Sequence, residues 1–228
     1  MIIKVCGMRN TENINNIAAL GIDWIGLIFW TKSPRYVNMN PAESDGLTNH
    51  TIRDAICNIS AVKRVGVFVD DTVQNITTQV RNYKLDIIQL HGNETPAFIN
   101  NLRAKLQTEA NPDIKFIKAI SVTSDEDIGK CCNYENSVDY FLFDTRCSTV
   151  GGSGIKFDWS ILNSYHGNHP FLLSGGIGPD DADTISSIHH PMLAGIDLNS
   201  RFETEPGMKD VIALRKFIDK IRTGNNIK

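Results

Sequence analysis

The sequence predicts an α/β fold in which eight parallel strands close into a barrel covered by helices. Eight runs rich in Val, Ile and Phe recur along the 228 residues, and stretches with helical spacing lie between them. The runs alternate little between polar and apolar residues, which is typical of parallel strands buried on both faces. Eight strand–helix units in this length match the compact end of the (β/α)8 TIM barrels, which start at ~200 residues.

Each strand of the barrel is predicted from one apolar run. In chain order the runs are Ile2–Cys6, Ile22–Phe29, Arg64–Val69, Asp86–Leu90, Ile114–Ile120, Val138–Asp144, Phe171–Ser174 and Leu193–Leu198. A doubly wound open sheet is the alternative, because counting strands does not show that the last pairs with the first.

Helices are predicted where apolar residues recur every three or four positions. Such spacing covers Ile14 to Ala18, Val73 to Tyr83 and Met208 to Ile221. Ser124 with Asp127, and Pro179 with acidic residues directly after it, are start signals for two further helices.

Composition predicts one globular domain over residues 1–228. Hydrophobic residues make up 41% and charged residues 21%, and no linker or low-complexity segment interrupts the chain. The 23 basic residues against 26 acidic ones give a net charge of −3 with both signs scattered, so we expect no nucleic-acid or membrane partner. The apolar stretch from Trp24 to Trp30 is too short to span a bilayer.

The N-terminus and the cysteines predict a cytoplasmic protein. The first residues read as a strand and lack the features of a secretory signal. The five cysteines are odd in number and form no CxxC pair, so we expect thiols and neither a disulfide framework nor a zinc site. The glycines from Gly151 to Gly154 lack dinucleotide-binding spacing and so do not support a nicotinamide site, and the sequence contains no P-loop.

Two ionisable residues end predicted strands, where barrel enzymes keep their sites. Cys6 closes the first strand; it is either a buried core thiol or a general base whose surroundings favour the thiolate. Asp144 ends the sixth strand; it either caps the following loop or donates a proton. The local sequence leaves both alternatives open.

Two segments favour phosphate binding after strands seven and eight. Gly175 and Gly176 precede a predicted helix, and Asn199 and Ser200 follow the last strand. Backbone N–H groups in such loops converge on anions, although simple turns are the alternative. We therefore expect a small phosphorylated molecule as the partner.

Other polar residues carry weaker signals. Arg35 is either a solvated cation or a carboxylate ligand, and Asp197 lies one residue before the end of the last predicted strand. His91 is either a base or, more commonly for a strand end, a ring satisfied by backbone. Gly151 to Gly154 predict a lid or turn, and His189 and His190 are expected at the surface.

The ordered motifs resemble those of the phosphoribosylanthranilate isomerase family. The motifs are Lys4-Val-Cys-Gly7, Lys32-Ser-Pro-Arg-Tyr-Val37, Val65-Gly-Val-Phe-Val69, Gln89-Leu-His-Gly92, Phe143-Asp-Thr145, Gly151-Gly-Ser-Gly154, Phe157-Asp-Trp159, Ser174-Gly-Gly176 and Gly195-Ile-Asp197, followed by Glu203 and Pro206-Gly-Met-Lys-Asp210. Each string is weak alone, but their order along most of the chain is specific. The resemblance implies a barrel that isomerises N-(5-phosphoribosyl)anthranilate by an Amadori rearrangement without cofactor or metal.

The resemblance also implies a role for each candidate residue. Asp144 is the expected general acid and Cys6 the expected general base. Arg35 is expected to bind the anthranilate carboxylate and Asp197 the amino nitrogen, with the Gly175, Gly176, Asn199 and Ser200 backbones receiving the phosphate.

The last loop departs from the family pattern, because Asn199 and Arg201 stand where members commonly carry Ser and Gly. Arg201 either contacts phosphate or points away from it. Another phosphosugar barrel enzyme and a non-catalytic phosphometabolite-binding barrel are the rival functions.

Overall fold

A computed structural model describes residues 1–37, 48–145 and 159–224. The eight longer strands are β1 (Ile2–Cys6), β2 (Trp24–Ile28), β3 (Lys63–Phe68), β4 (Ile87–Leu90), β5 (Lys115–Ser121), β6 (Tyr140–Asp144), β7 (Phe171–Ser174) and β8 (Leu193–Leu198). The helices are α1 (Thr11–Ala18), α2 (Thr48–Asn58), α3 (Val73–Tyr83), α4 (Pro96–Glu109), α5 (Asp125–Gly129), α6 (Ala182–Ser186) and α7 (Val211–Gly224). Two short strands, β9 (Glu203–Glu205) and β10 (Met208–Lys209), precede α7.

The eight longer strands form a closed parallel barrel, which confirms the predicted fold class. Each strand pairs with the next one along the chain. β1 also pairs with β8, with Lys4 opposite Asp197, and this contact closes the barrel and excludes the open sheet. All eight predicted strands are present, with ends within about two residues of the predicted ones.

The barrel has two apolar layers and one polar end. A large cluster lies between the strands and the helices, and a smaller one, which includes Trp24, Val65 and Leu172, packs as a separate group among the strands. Successive strand residues point to opposite faces, so positions two apart share a face. Leu142 and Leu172 of the smaller cluster therefore share a face with Asp144 and Ser174, two residues nearer the carboxyl ends of the same strands.

The two helix start signals are found in the structure. At α5, Asp127 Oδ2 accepts the backbone N–H groups of Thr123 and Ser124 at 2.9 and 3.2 Å. Pro179 begins a single 3-10 turn that leads into α6, so that helix begins three residues later than its signal. The prediction that Met208 begins the last helix is wrong, because Met208 pairs with Glu205 in the β9–β10 hairpin.

Two other expectations change or fall outside the description. His190 was expected at the surface; instead it is partly buried, with Nε2 donating to the Tyr165 carbonyl at 3.0 Å and its ring centroid 5.0 Å from that of Phe171. Between β6 and β7 the described part of the chain holds one 3-10 helix, over Trp159–Ser164. Cys147, the Gly151–Gly154 segment, Phe157 and Asp158 lie outside the described residues.

Candidate active site

All eight candidate residues line one cavity at the carboxyl ends of the barrel strands. The cavity has a volume of about 710 Å³. Its lining includes Cys6, Arg35, Asp144, Gly175, Gly176, Asp197, Asn199 and Ser200. The structure therefore brings together groups that lie up to 194 positions apart, counting from Cys6 to Ser200 (200 − 6).

Cys6 is a buried thiol at the end of β1, next to Gly26 of β2. A Cβ atom at position 26 would lie 2.7 Å from the Cys6 sulfur, so only glycine leaves room for this side chain. Burial raises the pKa of the thiol above its usual value, with Asp197 adding to the effect and the ammonium groups of Lys4 and Lys209 opposing it. The resting side chain is therefore a neutral thiol near pH 7, with two cations that favour its thiolate.

A buried ion pair lies beside Cys6. Lys4 Nζ lies 2.9 Å from Asp197 Oδ1, and Lys4 is fully buried while Asp197 is 6% exposed. The hydroxyl of Ser174 donates to the other carboxylate oxygen at 3.3 Å. Sequence reasoning missed Lys4 as a site residue, although a lysine two positions before Cys6 in an apolar strand shares its face.

Asp144 contacts a histidine across the cavity lining. Its Oδ2 lies 3.3 Å from His91 Nε2, and the His91 Nδ1 lies 3.1 Å from the side-chain nitrogen of Gln89. With that amide N–H donating to Nδ1, the neutral ring carries its proton on Nε2 and presents it to the carboxylate. The interpretation of His91 as a ring satisfied by backbone is therefore wrong.

Arg35 is held by the carboxylate of Glu203, which comes from the β9–β10 hairpin. Arg35 Nε lies 2.8 and 3.0 Å from the two oxygens, and Nη2 contacts Oε2. Lys209 Nζ lies 2.5 Å from Oε1 and 2.8 Å from Asn199 Oδ1. Burial opposes ionisation of Glu203, but Arg35 and Lys209 outweigh it and lower its pKa.

This hairpin fixes Arg35 with one edge of its guanidinium engaged. Within the described ranges, Nη1 of Arg35 makes no hydrogen bond, and the side chain lines the cavity. The sequence indicated Arg35 as a site residue. It did not predict that Glu203 contacts Arg35 or that Lys209 contacts Glu203, because both lie in the β9–β10 hairpin, which has no apolar periodicity.

The loop after β7 has the backbone conformation expected of an anion-binding turn. Gly175 and Gly176 both have positive φ, at 95° and 67°. A Cβ atom at Gly175 would collide with the Thr145 carbonyl, whereas the space above Gly176 is open. Backbone N–H groups in such turns form concave anion sites.

The residues that the structure covers contain neither a metal-binding cluster nor a membrane-spanning helix. No group of three or more His, Cys, Asp or Glu side chains there is arranged to hold a metal ion. Over the same ranges, no helix has the length and apolar character needed to cross a membrane.

Comparison with known proteins matches almost the whole chain. The family model described as N-(5'phosphoribosyl)anthranilate (PRA) isomerase matches residues 3–220. The N-(5'-phosphoribosyl)anthranilate isomerase of Parabacteroides distasonis is 48% identical over 97% of this chain and 93% of that protein. The enzyme of the same name from Phocaeicola vulgatus is 41% identical over 97% and 98%.

A solved structure gives the same match. It is a phosphoribosyl anthranilate isomerase in complex with reduced 1-(o-carboxyphenylamino)-1-deoxyribulose 5-phosphate, with a TM-score of 0.77 and 27% identity over 98% of this chain and 100% of that chain.

Proposed function

The chain belongs to the N-(5'-phosphoribosyl)anthranilate isomerase family, and from this premise we infer how its cavity performs the reaction. The protein is an isomerase of tryptophan biosynthesis that converts N-(5-phosphoribosyl)anthranilate to 1-(2-carboxyphenylamino)-1-deoxyribulose 5-phosphate by an Amadori rearrangement. Relatives of that name, matched over 93% and 98% of their length, favour this function over the two rival functions, another phosphosugar barrel enzyme and a non-catalytic binding barrel.

Asp144 is the general acid of the first step in this proposal. Its proton goes to the furanose ring oxygen while the bond from C1 to that oxygen breaks, and the bonding electrons stay on the oxygen. The products are a C4 hydroxyl, a protonated Schiff base between C1 and nitrogen, and an Asp144 carboxylate. The 3.3 Å contact with His91 supports the role by fixing the direction of the carboxyl group.

Cys6 is the general base of the second step. Its thiolate takes the proton from C2, and the released electron pair forms the C1–C2 double bond as the Schiff base is neutralised. Protonation at C1 and loss of the enol proton then give the C2 ketone, so atoms balance as an isomerisation requires. The raised pKa of Cys6 makes the thiolate scarce but strongly basic, and the cationic Schiff base favours its formation.

Two sets of cavity residues are proposed to bind the two anionic groups of the substrate, so that its sugar lies between the general acid and the general base. Arg35, held by Glu203, is proposed to bind the anthranilate carboxylate, and Asp197 the amino nitrogen. The Gly175 and Gly176 loop and the backbone of Asn199 and Ser200 are proposed to bind the phosphate. The observation that carries this proposal is that Cys6 and Asp144 line the same cavity as the residues assigned to the carboxylate and to the phosphate.

The experiment uses freshly made phosphoribosylanthranilate and follows the loss of its fluorescence. We expect Cys6→Ala and Asp144→Asn each to lower kcat by at least ~10²-fold, because each removes one proton transfer. Cys57→Ala and Asp219→Asn are matched controls outside the cavity lining, and they should retain wild-type turnover. Near-normal activity in either site variant would contradict that residue's role.

A further inference from the structure

Arg201 lies in the loop after β8, and its side chain lines the cavity. The loop makes a 3-10 turn over Ser200–Phe202, and the Phe202 ring is 1% exposed, so the turn is anchored to the core on the side next to Arg201. Arg201 itself is exposed. Its backbone is therefore fixed while its charged end stands at the rim.

The guanidinium of Arg201 reaches across to the loop after β7. Its Nε and Nη2 atoms lie 3.1 and 3.3 Å from the point where a Cβ atom of Gly178 would stand. Gly175 and Gly176, three and two positions before Gly178 in that loop, line the same cavity and have positive φ. The Arg201 guanidinium therefore lies beside the loop that carries both glycines, at one end of the cavity.

The charge of Arg201 has no partner among the residues that the structure describes. Over the ranges the structure covers, Arg201 takes part in no hydrogen bond or ion pair, whereas Lys4, Arg35 and Lys209 each contact a carboxylate. An unpaired guanidinium beside backbone donors is a bidentate receptor for a phosphate.

One carboxylate lies close to this end. Asp181 is 6% exposed, and its Oδ2 accepts the backbone N–H of Gly178 at 2.8 Å. That N–H is therefore committed and does not serve a ligand. A phosphate here has fewer backbone donors to use, which makes the side chain of Arg201 more important.

We propose that Arg201 binds the phosphate group of the substrate directly, as a side-chain contact added to the backbone amides. The ligand class is a dianionic phosphate monoester, and inorganic phosphate is its simplest probe. The proposal rests on the proposed function in that it needs the phosphate at the Gly175 end of the cavity.

The test compares Arg201→Ala and Arg201→Lys with the wild type. Arg215→Ala, an exposed position on α7 outside the cavity lining, removes the same charge as a control. We expect Arg201→Ala to raise KM for phosphoribosylanthranilate by about 10- to 100-fold with kcat changed less than about threefold, as loss of a charge-assisted hydrogen bond predicts. The inhibition constant of inorganic phosphate should rise by the same factor, and Arg201→Lys should recover part of both.

A second readout does not depend on turnover. Inorganic phosphate should raise the Tm of the wild type and of Arg215→Ala, and much less that of Arg201→Ala. An active wild type whose KM, phosphate inhibition and phosphate-induced Tm shift are unchanged by Arg201→Ala would overturn the proposal. A wild type that gains stability from phosphate through Arg201 but does not isomerise the substrate would instead contradict the proposed function alone.

Discussion

Replacing Lys4 with methionine tests whether a buried ion pair stabilises the closed barrel and its site. Lys4 is fully buried, and its Nζ lies 2.9 Å from Asp197 Oδ1. At this separation two unit charges attract by about 6 kcal/mol at an effective dielectric constant of about 20. Burial alone lowers the pKa of Lys4, but Asp197 outweighs it and raises that pKa, which indicates a net favourable pair.

The variant leaves Asp197 as a buried charge without its partner. We expect Lys4→Met to lower the free energy of unfolding by about 3–5 kcal/mol, because the desolvation cost of the carboxylate persists after its compensation is lost. The double variant Lys4→Met with Asp197→Asn should regain part of the loss, since it removes the orphaned charge. Urea denaturation followed by circular dichroism measures all three proteins.

An exposed pair provides the control. Lys220 Nζ lies 2.6 Å from Asp183 Oδ2, closer than the buried pair, but the two side chains are 53% and 79% exposed. Solvent screens that attraction, so Lys220→Met should change the free energy of unfolding by less than about 1 kcal/mol. If Lys4→Met is no more destabilising than Lys220→Met, burial does not decide the strength of these pairs and the reasoning is refuted.

Two further predictions concern carboxylates that hold cations. Glu203→Gln releases the guanidinium of Arg35, so we expect Glu203→Gln and Arg35→Ala both to raise KM more than they lower kcat in the fluorescence assay; the reverse pattern would make Arg35 part of the chemical step. Burial opposes ionisation of Asp139, but the N–H of Phe116 and the cation of Arg103 prevail and lower its pKa. Its stabilising effect should therefore be present above pH ~4 and be lost as pH falls through the folded pKa. The difference in unfolding free energy between wild type and Asp139→Asn should shrink in acid, and a difference independent of pH would contradict it.

Regular elements were predictable because their signals are local. The run Phe171–Ser174 is apolar up to its last residue, and α3 repeats its apolar residues every three or four positions; both elements have the predicted bounds. The β9–β10 hairpin was missed for the converse reason. Its first strand, Glu203–Glu205, is short and charged, so it has no apolar pattern, and it forms by pairing with Met208–Lys209.

The same distinction applies to the site: the positions of its residues on the strands were predictable from local sequence, whereas their contacts with distant residues were not. That Cys6 and Asp144 end strands follows from the sequence, because an ionisable residue after an apolar run lies at the strand's carboxyl end. The coupling of Asp144 to His91 depends on the positions of β4 and β6 on either side of β5 in the closed barrel, and on the orientation of the two side chains. The same holds for Arg35, whose partner Glu203 lies 168 positions away.

The sequence by itself determined the eight apolar strands, the residues at their carboxyl ends and, through ordered motifs, the family. Burial on both faces leaves a composition that can be recognised without knowing the partners of a strand. Only the tertiary structure decided the electrostatics, because pairs such as Lys4 with Asp197 form when β1 meets β8 and closes the barrel. The residues next to a charged side chain in the sequence do not indicate which distant residue of opposite charge will stabilise it.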